Sequence, residues 1–227
     1  MFSLVLLSGG VGSRMNQAVP KQYMLLAGKP VIMHILERVD EIEEIKETII
    51  VCADEYASHI TLIAKQYGIK KNIRFASAGA TRQASVKSGL AIVETENVII
   101  HEAARPFVKV EDFKTLLNDE SENAMFGIEI PFTVLKGNEY VSGVLNRSEL
   151  VNVQLPQKFK TELIKTAHEK AERDGRKFTE DASLLYEYYP DVKIRIVPGK
   201  EYNLKITTRM DLIIGEQIYK EEMRRRI

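Results

Sequence analysis

The feature that most constrains this chain is an alternation, through its first half, of short β-branched runs with stretches whose apolar residues recur at helical spacing. The runs lie at 3–7, 48–51, 73–76 and 98–100, and the helix-like stretches at 31–39, 59–67 and 83–93. Such alternation predicts βαβ units, and so an α/β fold with a mostly parallel sheet flanked by helices. In open sheets of this kind ligands bind beyond the carboxyl ends of the strands. The loops after each strand are therefore where chemistry is expected.

From 131 to 157 the pattern changes. Lys136, Gly137 and Asn138 read as a turn between strand-like stretches, which predicts a projecting β-arm over this segment. Helices are expected again at 160–174 and 181–188, a strand at 192–197 and a last helix from 209 onward. With no repeat and no low-complexity linker, the expectation is a single domain spanning residues 1–227, with the arm as an excursion. A chain of 227 residues, 44% hydrophobic, can bury a core without disulfides. Its one cysteine, Cys52, sits in a β-branched run and is expected to be a small buried hydrophobe.

Lys and Arg together number 32, as do Asp and Glu. A formal charge of zero provides no global field to hold nucleic acid or an anionic membrane, so an anion must be caught by a local cluster. No apolar run approaches the ~20 residues of a bilayer span, and no signal peptide precedes the first strand, so the expected location is the cytoplasm. The four histidines lack ligand spacing. The closing Arg224, Arg225 and Arg226 read as a solvated helix end, where cations complement the dipole.

The loop after the first strand reads Ser8-Gly9-Gly10-Val11-Gly12-Ser13-Arg14-Met15, followed by Pro20-Lys21-Gln22. Its glycines let successive backbone N–H groups point into one concavity suited to phosphate oxygens. A dinucleotide fingerprint fails at Met15, and a P-loop fails because no Lys-Ser or Lys-Thr follows the glycines. Arg14 and Lys21 add two cations to the nest, which suits the triphosphate of a nucleotide.

Gly-Gly-x-Gly-x-Arg-Met followed by Pro-Lys-Gln resembles the signature of the cytidylyltransferases that act on 2-C-methylerythritol 4-phosphate and on ribitol 5-phosphate. Further blocks resemble that family in its order over nearly the whole chain: Gly79-Ala80-Thr81-Arg82-Gln83-Ala84-Ser85, His101-Glu102-Ala103-Ala104-Arg105-Pro106, Phe178-Thr179-Glu180-Asp181-Ala182-Ser183 and Asn203-Leu204-Lys205-Ile206-Thr207. The resemblance implies a Rossmann-like nucleotide-diphospho-sugar transferase fold. It implies Arg14, Lys21 and Lys205 as catalytic cations, and Ser8, Gly9, Gly10, Gly12, Ser13, Gly79, Arg82 and Ser85 around the nucleotide. It places Glu102, Arg105, Arg147 and Thr179 around the acceptor, Glu102 also by Mg²⁺, and Arg147 in a homodimer partner's site. Thr81 and Thr179 read independently as helix caps.

The family pattern is broken where Glu102 stands for an aspartate, Val134 and Leu135 for an Asp-Thr pair, and Leu155 for a threonine. The reaction expected from the resemblance is CMP transfer from CTP to a polyol phosphate with release of pyrophosphate. Three other readings stay open: a nucleotidyltransferase for another sugar phosphate, a nucleotide-binding module without turnover, and a nicotinamide dehydrogenase.

Overall fold

The computed structural model of the chain describes residues 1–10 and 20–224. Its main sheet has seven strands among the described residues. In chain order these are β1 (Phe2–Leu7), β4 (Ile45–Cys52), β5 (Asn72–Ser77), β6 (Asn97–Glu102), β7 (Ala124–Glu129), β10 (Val151–Lys160) and β11 (Arg195–Pro198). Across the sheet the order is β5-β4-β1-β6-β10-β7-β11. Only β10 runs antiparallel to its neighbours. The chain winds outward from β1 to β4 and β5, then returns to place β6 on the other side of β1. That reversal opens a crevice at the carboxyl ends of β1 and β6.

Side chains alternate across each strand, and both faces are apolar. On one face Leu4, Leu6, Ile50, Cys52 and Ile99 pack with Ile32, Ile35 and Leu36 of α1 (Val31–Asp40) and Phe113 of α4 (Val110–Asn118). α2 (Asp54–Gln66) covers the same face through Ile60. On the other face Val5, Ile49, Val51, Val98 and Ile100 meet Val86 and Leu90 of α3 (Arg82–Ala91), Ile164 of α5 (Thr161–Arg173) and Leu185 of α6 (Asp181–Tyr188). Cys52 is buried as expected, and burial pushes its thiol up to about 11. α7 (Arg209–Arg224) packs on Leu26 and Phe107 near the two-stranded ribbon of β2 (Leu25–Leu26) and β3 (Lys29–Pro30).

The arm is shorter than the sequence pattern suggested. Its ribbon is β8 (Leu135–Gly137) paired with β9 (Val141–Val144). Residues 151–157 instead enter the main sheet as the start of β10, with Leu155 and Gln157 buried. Pro156 masks this strand in the sequence, because proline is unexpected in a central strand. The fold accommodates it with a register shift between Gln154 and Gln157 against β7, and β10 pairs with β6 only from Gln157 onward. Helix α4 and strand β7 also escaped the sequence pattern. No helix among the described residues is long and apolar enough to cross a membrane.

Helix α3 follows the turn after β5, one of the site loops, and lies close against the sheet because residue 89 is glycine. A Cβ there would stand 2.6 Å from Val5 Cγ1 and 2.7 Å from Val51 Cγ2. Gly89→Val is expected to lower unfolding free energy by about 1–3 kcal/mol, read as a reduced urea midpoint.

Candidate active site

At the end of β1, Ser8 N donates to Val51 O at 2.7 Å, so the chain leaves the strand still tied to β4. Gln22, buried in the short helical turn Lys21–Tyr23, donates from Nε2 to Ser8 O at 2.6 Å and to Gly10 O at 3.0 Å. One side chain thus clasps the loop that carries Ser8, Gly9 and Gly10. Gln22 belongs to the Pro-Lys-Gln block, yet its role was invisible in the sequence because both acceptors are backbone carbonyls. Gly9 touches the next loop: a Cβ would lie 2.4 Å from Ala78 Cβ. Gly12, Ser13 and Arg14 lie outside the described residues.

The loop from β5 to α3 is built as expected at its cap, where Thr81 Oγ1 accepts from Ala84 N at 3.1 Å. Ser85 Oγ accepts from Gly79 N at 3.0 Å, and a Cβ on Gly79 would meet Ala84 Cβ at 2.5 Å and Ala84 C at 2.9 Å. Glycine is therefore required by close approach to the helix start. The hydroxyl of Ser85 shapes the turn from inside.

Beyond β6 the crevice fills with charge. Glu102, the last residue of that strand, is only 6% exposed. Arg82 Nε donates to Glu102 Oε1 at 3.1 Å, and Lys205 Nζ stands 2.6 Å from Glu102 Oε2 as an ion pair. Arg105 Nε is more distant, at 3.9 Å. Arg82 Nη2 also donates to Asp181 Oδ2 at 2.6 Å, and His168 Nε2 lies 3.1 Å from Asp181 Oδ1. Arg82, expected beside the nucleotide, thus commits its guanidinium to two buried carboxylates. Glu102 is therefore a buried acid whose nearer partners are Arg82 and Lys205, with Arg105 at the margin of ion-pair range.

Lys21 and Lys205 converge on one segment. Lys21 Nζ donates to Ile206 O at 2.8 Å, while Ile206 N donates to Ala104 O at 2.8 Å. Arg105 Nη1 donates to Asn203 O at 3.0 Å, and Asn203 Nδ2 to Leu155 O at 2.7 Å. Tyr202 OH bonds both oxygens of Asp112, at 2.8 and 2.9 Å. The segment between β11 and α7 has no regular ladder of its own, and these contacts hold it over the end of β6. Asn203 and Tyr202 were legible only as motif neighbours of Lys205.

Two expected residues fall elsewhere. Thr179 is exposed and does not cap α6. Glu180 does, accepting from Ala182 N at 3.0 Å and Ser183 N at 2.8 Å, because the helix starts one residue later than the threonine would require. Arg147 lies in the arm, where Nη1 donates to Pro131 O at 2.9 Å, and it forms no hydrogen bond or ion pair with the cluster around Glu102.

A metal held by the protein does not fit the described residues. They contain no group of three or more His, Cys, Asp or Glu side chains able to hold an ion. Both oxygens of Glu102, the expected ligand, face Arg82 and Lys205. A cation there would have to displace other cations.

Burial alone would raise the Glu102 carboxyl, but Lys205 and Arg82 outweigh it and hold it down to about 2. Burial likewise opposes ionisation of Asp181, and Arg82 with His168 brings it to about 2. Burial would lower Arg82, and the two carboxylates raise it instead. Both acids have folded values below their ordinary 4.5 and 3.8, so the stability linked to them is complete above about pH 4.5 and lost as pH falls toward about 2. The urea midpoint is expected to drop across that window, and to drop less steeply in Asp181→Asn.

Residues 2–221 match the family described as IspD: 2-C-methyl-D-erythritol 4-phosphate cytidylyltransferase. The chain is 35% identical over 226 residues to the chloroplastic 2-C-methyl-D-erythritol 4-phosphate cytidylyltransferase of Oryza sativa, covering 97% of this chain and 75% of that protein. It is 34% identical to the Bacillus cytotoxicus 2-C-methyl-D-erythritol 4-phosphate cytidylyltransferase, covering 95% of this chain and 96% of that one. The crystal structure of 4-diphosphocytidyl-2C-methyl-D-erythritol synthase from Anaerococcus prevotii superposes with a TM-score of 0.85 at 30% identity, covering 96% of each chain. With the ordered motifs now gathered at one sheet edge and the match running almost end to end, the chain belongs to the 2-C-methyl-D-erythritol 4-phosphate cytidylyltransferase family.

Proposed function

We propose that this chain transfers CMP from CTP to 2-C-methyl-D-erythritol 4-phosphate and releases pyrophosphate. The observation that carries this reading is that Lys21 Nζ donates to Ile206 O, the residue next to Lys205, whose own ammonium pairs with buried Glu102 at the end of β6. An acceptor phosphate oxygen attacks the α-phosphorus of CTP, a new P–O bond forms, and the bond to the pyrophosphate oxygen breaks. No general base is needed, since the acceptor phosphate is already ionised at neutral pH. Catalysis then rests on bringing two anions together and stabilising charge on the phosphoryl oxygens.

In this reading Ser8, Gly9 and Gly10 continue through Gly12 and Ser13 as the phosphate cradle, with Arg14 and Lys21 on the triphosphate. Gly79 and Ser85 present backbone to the cytosine, and Lys205 serves the α-phosphate. Arg105 and Thr179 take the acceptor, and Glu102 contributes by orienting cations. The described residues would leave Mg²⁺ to the triphosphate, whose hard oxygens suit that ion, and the ion would supply shielding of phosphate charge. A second copy supports the acceptor side through the arm. The exposed Phe132, Tyr140, Val141 and Val144 give that arm an apolar surface, and the partner subunit's Arg147 would reach the acceptor.

Pyrophosphate release with CTP and 2-C-methyl-D-erythritol 4-phosphate is the direct test, with ribitol 5-phosphate and other sugar phosphates run beside it and UTP, GTP and ATP in place of CTP. Turnover is expected with CTP and the methylerythritol phosphate. CTP binding without pyrophosphate release from any acceptor would overturn the reading in favour of a binding module. Lys21→Ala and Lys205→Ala should each lower kcat by about 10². Arg147→Ala should raise KM for the acceptor more than KM for CTP, and equal changes would remove its assigned place.

A further inference from the structure

We propose that Asp181, backed by His168, is a positioning residue that aims Lys205 at the reacting phosphates through Arg82 and Glu102. This rests on the transferase reading above and assigns to it a residue that would not itself touch substrate. The groups form one unbroken chain: His168 Nε2 to Asp181 Oδ1 at 3.1 Å, Asp181 Oδ2 to Arg82 Nη2 at 2.6 Å, Arg82 Nε to Glu102 Oε1 at 3.1 Å, and Glu102 Oε2 to Lys205 Nζ at 2.6 Å. It crosses α5, α6, α3 and the end of β6, is closed to solvent at His168 and Asp181, and opens through Arg82 toward Lys205, its most exposed member. Both His168 and Asp181 are 1% exposed, whereas Lys205 is partly open to solvent.

Lys205 needs such an anchor. Its backbone lies between β11 and α7, outside any helix or strand. A lysine stem is long and flexible, and its ammonium is a point charge with no preferred direction of its own. Glu102 can fix that charge only if its own carboxylate cannot rotate. The planar guanidinium of Arg82 prevents this by gripping Glu102 and Asp181 together, and Asp181 is locked in turn by the buried imidazole. A buried ion network is a weak device for stability, since well-packed apolar side chains of the same volume often do better. Its distinctive product here is direction, delivered to Lys205, the most exposed member. Glu102 turns one carboxylate oxygen to Arg82 and the other to Lys205, so fixing the first contact fixes the direction of the second.

The test is a double-mutant cycle on pyrophosphate release from CTP and 2-C-methyl-D-erythritol 4-phosphate. Asp181→Asn and Arg82→Lys are each made in the wild-type chain and in Lys205→Ala, with folding checked by circular dichroism. In the wild-type background each should lower kcat about 10- to 100-fold, with KM for CTP changed by less than about threefold. In Lys205→Ala the same substitutions should change kcat by less than about twofold, because the group they aim is gone. Equal losses in both backgrounds, unaltered kcat in the wild-type background, or full turnover in Lys205→Ala would each overturn the proposal. If Asp181→Asn does not fold, Arg82→Lys carries the same comparison from a partly exposed position. An inactive wild-type chain would count against the transferase reading itself, while an active one with additive losses would sink only the positioning role.

Discussion

A carboxylate buried at the end of a central strand is the constraint on which this site depends. Glu102 closes β6 in a place that water scarcely reaches, and an isolated charge there would be too costly to keep ionised. It stays ionised because Arg82 and Lys205 face its two oxygens, with Arg105 a little farther away. Those cations come from α3, from the segment before α7 and from the loop just after β6. Satisfying one acid therefore requires three parts of the chain to close on the same strand end.

The sheet supplies the rest of the geometry. Because β1 lies between β4 and β6, its exit loop, the turn after β5 and the end of β6 share one edge. Missing Cβ atoms permit the close approaches here, Gly9 of one loop against Ala78 of the next and Gly79 against Ala84 at the start of α3. The result is a backbone-lined crevice with its cations on one flank, a layout suited to a polyanion whose charge must be held and redistributed during transfer.

Much of this was legible beforehand. The βαβ alternation, the parallel sheet, the Thr81 cap and the start of α6 at 181 all follow from local chemistry. The misreadings also have local causes. Pro156 hid the entry of β10 into the sheet, and a threonine one residue too early was taken for the cap that Glu180 provides. Arg82 was set beside the nucleotide by the resemblance alone, and nothing nearby in sequence announced Asp181 as its partner, 99 residues away.

The sequence by itself determined the fold class, the location of the loops that matter and the cations available to them, because periodicity, glycine placement and caps are properties of neighbouring residues. Tertiary structure alone decided which of those charges meet. Glu102, Arg82, Asp181, His168 and Lys205 become one chain of contacts only when α3, α5, α6 and the segment before α7 pack around the end of β6. The energy of a buried ion depends on where its partners lie in space, and spacing along the chain carries no record of that.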